Sequence, residues 1–201
     1  MKNSVRKYFG LTICIIFLEM ILTIATVYLY QVLDSYLIKI IVQNISYLLM
    51  LVFTFIGIKM SRMTLREFGL FSYSLPKQLG IGFIGGFILL CVLKGGSFWP
   101  PSLDIYLMFS QLLVAFTEEL LFRGFLFTMV YEISHSKMKS ILISSVVFGL
   151  YHYPIHHDIL FVFASCIIGL TYSGLHSLYF KTDKEIGILS LTIVHWINNI
   201  F

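Results

Sequence analysis

At 201 residues, with 58% hydrophobic and only 12% charged side chains, the chain is far more apolar than a soluble domain, where about a quarter of residues are charged. A spanning helix needs about 20 residues, so the length holds at most about seven and leaves no room for a sizeable soluble domain. The net charge of +4 is mild, and the absence of a basic stretch interleaved with aromatics argues against nucleic acid as a partner.

Lys2, Arg6 and Lys7 precede an apolar run from Tyr8 to Tyr30. That run is longer than the core of a secretory signal and has no small-residue cleavage site, so it reads as a first spanning helix. Further apolar runs fall at about 36–58, 77–93, 105–131, 139–153, 159–180 and 186–201. They are continuously apolar and do not alternate every second residue, which favours helices over a closed barrel. The expected fold class is therefore all-α, a polytopic transmembrane bundle of about seven helices in contact with the lipid bilayer. The last run has only about 16 residues, so it is expected to fall short of a full span.

Cationic residues are distributed unevenly between the loops. With a cytoplasmic N-terminus, Lys2, Arg6, Lys7, Lys59, Arg62, Arg66, Lys77, Lys137, Lys139, Lys181 and Lys184 gather on one side, against Lys39 and Lys94 on the other. This asymmetry predicts an integral protein, expected in a bacterial cell membrane, with its N-terminus inside and its C-terminus outside. The linker 59–76 mixes basic residues with Leu65, Phe68, Leu70 and Phe71. It reads either as a segment lying along the interface or as a plain connector. Gly82, Gly85 and Gly86 in the third run suit close helix packing. Cys14, Cys91 and Cys166 are odd in number and lie in apolar runs, as reduced core thiols do.

An ionisable side chain in hydrocarbon costs roughly 2.5–3.5 kcal/mol on insertion scales, so each one within these runs is a candidate for function. The fourth run carries Glu118, Glu119 and Arg123 in AFTEELLFRGFLF; the fifth carries Phe148 and His152; the last carries His195 and Asn199. Glu119 and Arg123 are four apart, with the acid nearer the N-terminus, the favourable order for an ion pair on one helical face. Glu118 is turned about 100° away and is left to face other helices. His195 and Asn199 share a face, so both are able to address one point. At a rise of 1.5 Å per residue, Glu118, His152 and His195 lie at roughly 20, 18 and 14 Å from one face of the bilayer. Glu19, in the first run, fits no such spacing and is left outside the site. His135, His156, His157 and His176 are expected to be interfacial.

E-E-x-x-x-R at 118–123, F-x-x-x-H at 148–152 and H-x-x-x-N at 195–199, in this order on successive apolar helices, resemble the three motifs of the CAAX protease and bacteriocin-processing family. The resemblance extends to the LREFGL stretch and to CIIGLTYSGLHSLYF, and so covers about residues 65–201. It divides the chain into two N-terminal helices and the start of the linker, 1–64, and a protease-like core, 65–201. It implies an intramembrane endopeptidase in which Glu118 and His152 activate a water, His195 and Asn199 stabilise the oxyanion, and Glu119 with Arg123 forms a structural ion pair. The substrates implied are membrane-associated peptides or proteins: CAAX-type chains, peptide pheromones or bacteriocin leaders.

A carboxylate in a low-dielectric site suits general-base work, and amide and imidazole donors suit a developing oxyanion. Glu118, His152 and His195 would also make a three-ligand zinc site with an open position. Asn199 is a poor zinc ligand and H-E-x-x-H is absent, so the choice between a metalloprotease and a metal-free glutamate enzyme stays open at this stage. An aspartyl site is excluded because Asp34, Asp104, Asp158 and Asp183 fall in loops. A serine site is excluded because Ser173-Gly174 follows Thr171, where the nucleophile turn needs glycine. The alternative from another class is a non-catalytic immunity or scaffold protein that keeps the fold. A transporter is disfavoured because no repeated halves are discernible.

Overall fold

The computed structural model describes residues 2–70, 74–94, 104–180 and 187–201. Lys181, Asp183 and Lys184, and positions 71–73 of the linker, lie outside the described residues. Among the described residues all regular structure is helical: α1 Lys2–Val32, α2 Tyr36–Ser61, α3 Leu75–Lys94, α4 Ile105–Glu119, α5 Phe127–Ser134, α6 Lys137–Tyr151, α7 Tyr153–His156, α8 Ile159–Tyr179 and α9 Ile188–Ile200. The seven apolar runs become seven helical rods, because α5 continues α4 through a π-helical stretch, Leu120–Leu126, and α7 is a single turn after α6.

Five rods are long and apolar enough to cross a membrane: Tyr8–Val32, Tyr36–Ser61, Leu75–Val92, Ile105–Ser134 and Ile159–Leu178. The two shorter ones, α6 with 15 residues and α9 with 13, rise about 22 and 20 Å, less than a hydrocarbon core of about 30 Å. His152 directly follows α6 and His195 lies on α9, and both helices are packed against longer neighbours. Large apolar side chains such as Phe17, Ile84, Phe109 and Phe163 point outward, as a lipid-facing surface requires.

Close backbone approach sets the position of α9. A Cβ at Gly82 would stand 2.7 Å from Ile193 Cβ and 2.9 Å from the Ser190 carbonyl oxygen, and one at Gly86 would stand 2.6 Å from Ile197 Cδ1. The expected packing role of these glycines is met by the α3–α9 contact. On its other side α9 is fixed to α4 by the Trp196 indole N–H, which donates to the Met108 carbonyl oxygen at 2.9 Å. The start of α4 is tied to α2. Asp104 caps α4 by accepting from the Tyr106 and Leu107 amides, and it accepts from the Tyr36 hydroxyl at 2.7 Å. The Tyr36 hydroxyl, then the backbone donors, hold the Asp104 carboxyl below its ordinary range.

The linker, which reads from sequence as an interfacial segment or a plain connector, sends two of its apolar side chains into the bundle. Phe68 is fully buried and Leu70 nearly so, and Phe68 stacks on Phe125 at 6.1 Å between ring centroids. Gly69, at φ +80°, turns the chain so that its carbonyl accepts from the Ile188 amide at the start of α9. The physical reason is the aromatic payload: burying Phe68 and Leu70 in the bundle gains more than laying them at the interface. His176, expected at the interface, is buried beside Phe127 and Phe180 on α8.

Filling the α3–α9 contact should destabilise the protein. Gly82→Leu is expected to lower folded abundance and thermal stability by an overpacking cost of about 1–3 kcal/mol. Gly80→Ala, where an added Cβ meets nothing within 4 Å, should leave both unchanged. Membrane abundance and melting in detergent check the pair, and equal loss in both variants would remove close approach as the reason for Gly82.

Candidate active site within the membrane

The chain brings four ionisable side chains into one buried group between α4, the π-helical stretch and α9. Glu119 and Arg123 are fully buried, and Arg123 Nη1 donates to Glu119 Oε1 at 3.1 Å. The ion pair expected from their spacing is present. The same oxygen accepts from His195 Nδ1 at 2.8 Å. A carboxylate can only accept here, so Nδ1 carries the proton in that bond and the imidazole is held by the acid across the α4–α9 contact. Spacing along one helix gave no sign of this second role for Glu119.

His195 Nε2 faces Glu118 Oε2 at 3.8 Å, too long for a direct hydrogen bond. Glu118 Oε2 is buried and has no hydrogen-bond partner within the chain. Its other oxygen accepts from the Tyr47 hydroxyl of α2 at 2.9 Å. Glu118 does face other helices, as its rotation from Glu119 predicts, and one of them is an N-terminal helix that sequence reasoning left outside the site. Nothing in the sequence distinguishes Tyr47 from the other 11 of the 12 tyrosines.

Arg123 has one carboxylate oxygen as hydrogen-bond partner, and its Nε and Nη2 have none. Two aromatic faces make up part of the difference. The guanidinium carbon lies 4.3 Å from the Phe148 ring centroid and 5.2 Å from that of Tyr172. Cation–π attraction is strongest where water is excluded, about 2 kcal/mol or more. Phe148 of the second motif is therefore a wall of the site, edge-on to His195 at 6.2 Å between centroids.

The π-helical stretch begins immediately after Glu119 and contains Arg123. Such insertions widen one turn and are frequent at functional sites. Here the Phe122 carbonyl, which accepts from the Phe127 amide, also accepts from the Ser144 hydroxyl at 2.8 Å, tying α6 to the stretch. Gly124 lets the linker approach: its absent Cβ would stand 3.1 Å from the Phe68 carbonyl oxygen.

His152 and Asn199 stand apart from the cluster. The His152 Nδ1–H donates to the Phe148 carbonyl at 2.8 Å, leaving Nε2 as the free nitrogen, and its ring lies against Phe148 at 4.6 Å between centroids. One aromatic ring thus separates it from His195. Asn199 is exposed and donates to Gln111 Oε1 at 3.2 Å, two turns from Glu118 on α4. His195 and Asn199 share a face of α9, yet they meet different partners. Among the described residues, no three His, Cys, Asp or Glu side chains are close enough to hold a metal. Glu118, His152 and His195 are accordingly not gathered around one point as a zinc site requires, with ligand distances of about 2.0–2.2 Å.

Glu19 lies elsewhere. It is buried on α1 and accepts from the Thr54 hydroxyl at 3.2 Å.

This arrangement, two acids held between helices by a histidine, an arginine and a tyrosine, defines a polar site enclosed by an apolar bundle. Residues 103–201 match the family model described as Rce1-like, type II CAAX prenyl endopeptidase. No curated protein and no solved structure gives a significant match to the chain. The chain is an integral membrane protein whose residues 103–201 are similar to this family of intramembrane proteases, and the resemblance read from the three motifs is borne out.

The geometry predicts a repairable defect. Glu119→Leu strands Arg123 and removes the partner of His195, and breaking such a buried pair costs about 3–5 kcal/mol. Abundance and melting temperature should fall in Glu119→Leu and recover largely in Glu119→Leu/Arg123→Leu, which removes both charges. A double variant as unstable as the single one would show that the ion pair is not the reason.

Proposed function

We propose that the chain is an intramembrane endopeptidase that cleaves a membrane-associated peptide or protein with a water activated by Glu118. The observation that carries this reading is the unpartnered, buried Glu118 Oε2, which faces the Nε2 of a histidine whose other nitrogen is fixed by Glu119. A base must be able to reach a water, and its neighbour must be held in one orientation before the reaction begins.

Charge counting supports particular roles. Two carboxylates and one guanidinium leave one negative charge in excess, and the membrane interior favours neutralising it. An imidazolium at His195, paired with Glu119 through Nδ1, restores neutrality while Glu118 remains a carboxylate. Glu118 then takes a proton from the attacking water, and His195 donates from Nε2 to the carbonyl oxygen as charge develops on it. Collapse of the tetrahedral intermediate breaks the C–N bond, and the proton held by Glu118 passes to the leaving amine. Glu119 acts here as an acid that orients a histidine and stabilises its charged form, the logic of other hydrolytic triads. His152, with Nε2 free, joins from across Phe148 once substrate is bound, and Asn199 adds an amide donor after a change of partner from Gln111.

The dispersed placement of Glu118, His152 and His195 supports metal-free catalysis over zinc. The loop charges support an N-terminus inside and a C-terminus outside. CAAX-type chains, pheromone precursors and bacteriocin leaders are the substrate classes to test. The separation of Asn199 and His152 from the cluster favours one second reading, a non-catalytic immunity or scaffold protein.

Glu118→Gln keeps the shape and removes the base. In proteoliposomes supplied with prenylated, pheromone-type and leader peptides, it should abolish cleavage while abundance stays at the wild-type level. Equal cleavage by both proteins would remove Glu118 from the mechanism. Metal analysis of purified wild type and His195→Ala should find no stoichiometric zinc in either; zinc in the wild type that is lost with His195 would overturn the metal-free assignment.

A further inference from the structure

A cavity of about 360 Å³ opens between α1, α2 and the α6–α7 junction and reaches inward to Tyr47 and Tyr151. Apolar side chains such as Val27, Met50 and Ile155 line it, and among them stand the polar groups of Thr23, Gln31, Gln43 and Ser46 and the two tyrosines. Thr26 donates to Ser46 at 2.6 Å across the wall, and the Tyr151 hydroxyl donates to the Met50 sulfur at 3.5 Å. Tyr47 then donates to Glu118 Oε1, so the polar wall ends on the acid proposed as the base.

The Thr23 and Thr26 hydroxyls are satisfied within the protein, whereas the side-chain amides of Gln31 and Gln43 on this wall are costly against lipid and economical against water. A cavity of this volume holds several waters, and its groups provide the two to four partners that each needs. The base is buried behind α9 and Phe148, whereas the cavity ends one side chain away from it.

We infer that α1 and α2, outside the segment matched to the protease family, complete the site: their cavity is the aqueous route to Glu118, and Tyr47 at its floor is a positioning residue for that carboxylate. The inference rests on Glu118 being the base. By donating to Oε1, Tyr47 fixes the carboxyl plane, so that Oε2 is left to face His195.

Two measurements test this without requiring a known substrate. In a background with Cys14, Cys91 and Cys166 changed to alanine, Gln43→Cys and Ser46→Cys in proteoliposomes should react with a membrane-impermeant thiol reagent, and Val162→Cys, buried on α8, should not. Failure of both cavity positions to react would overturn the aqueous route. Dicyclohexylcarbodiimide, an apolar reagent that modifies carboxyls in the membrane, should label Glu118 several-fold faster in Tyr47→Phe, where Oε1 is no longer occupied by the Tyr47 hydroxyl, than in wild type, as read by peptide mass spectrometry. An unchanged labelling rate in a normally abundant Tyr47→Phe would overturn the positioning role. Where a cleaved peptide is found, Tyr47→Phe should lower kcat by about tenfold to a hundredfold, the worth of a hydrogen bond to a charged group, with KM unchanged. A raised KM at wild-type kcat would place Tyr47 in substrate binding and overturn the inference. If wild type cuts no peptide, the two labelling experiments still decide the inference, and only the protease reading fails.

Discussion

One carboxylate oxygen, Glu119 Oε1, joins the helices on which everything else depends. It accepts from Arg123 at 3.1 Å within its own helical rod and from His195 at 2.8 Å on α9. In water such contacts would be worth little, because exposed ion pairs contribute about 0–1 kcal/mol. Inside an apolar bundle, separating the partners would leave a bare charge in a low dielectric, and that penalty makes the arrangement close to obligatory. The α4–α9 contact is thus fixed at the depth where both acids lie, and Glu118, the next residue, is carried to a fixed position opposite His195 Nε2.

The two acids are neighbours in sequence but differ in what they can do. Glu119 spends one oxygen on two cationic or potentially cationic donors and is committed to holding them. Glu118 is held only by the neutral Tyr47 hydroxyl, and although each acid keeps a second oxygen without a hydrogen-bond partner, that of Glu118 faces His195 Nε2. Adjacent positions on a helix face about 100° apart, so a pair of consecutive glutamates naturally divides into one that faces the anchoring helix and one that faces the cavity side. The π-helical stretch after Glu119 adds to this division. It widens the rod where Arg123 must fit between Phe148 and Tyr172, and it offers the Phe122 carbonyl to Ser144 of α6.

The sequence was most informative where a single physical rule dominates. Continuous apolar runs predicted the seven helical rods, and the i, i+4 spacing of Glu119 and Arg123 predicted their pairing. The glycines of the third run predicted a close contact, which α9 supplies. The misses concern what lies between elements. Phe68 and Leu70 lie among basic residues, a pattern that fits an interfacial segment and a plain connector alike, and the bundle takes both in, with Phe68 against Phe125. His176 was placed there because it lies near a helix end, and it is enclosed by Phe127 and Phe180. Tyr47 carried no local signal at all, since a tyrosine in an apolar run is ordinary until a second helix brings an acid to its hydroxyl. Spacing also placed His195 and Asn199 on one face, but a shared face does not imply a shared target: α4 offers Glu119 to the first and Gln111 to the second.

These features explain why the short helices belong at the site. A long spanning helix is held at its depth by lipid on all sides, whereas α6 and α9, about 22 and 20 Å in length, take their positions from neighbours. For α9 those neighbours are the glycine face of α3, the Trp196 bond to α4 and the Glu119 anchor. Each constraint acts at a different height on the helix, and together they leave His195 little freedom to turn. For α6 the constraints are the Ser144 bond to the π-helical stretch and the close approach of α8 at Gly169, where an added Cβ would meet Ser145 Cα at 3.0 Å. A site assembled on helices fixed by protein contacts can keep charged groups ordered inside an apolar bundle.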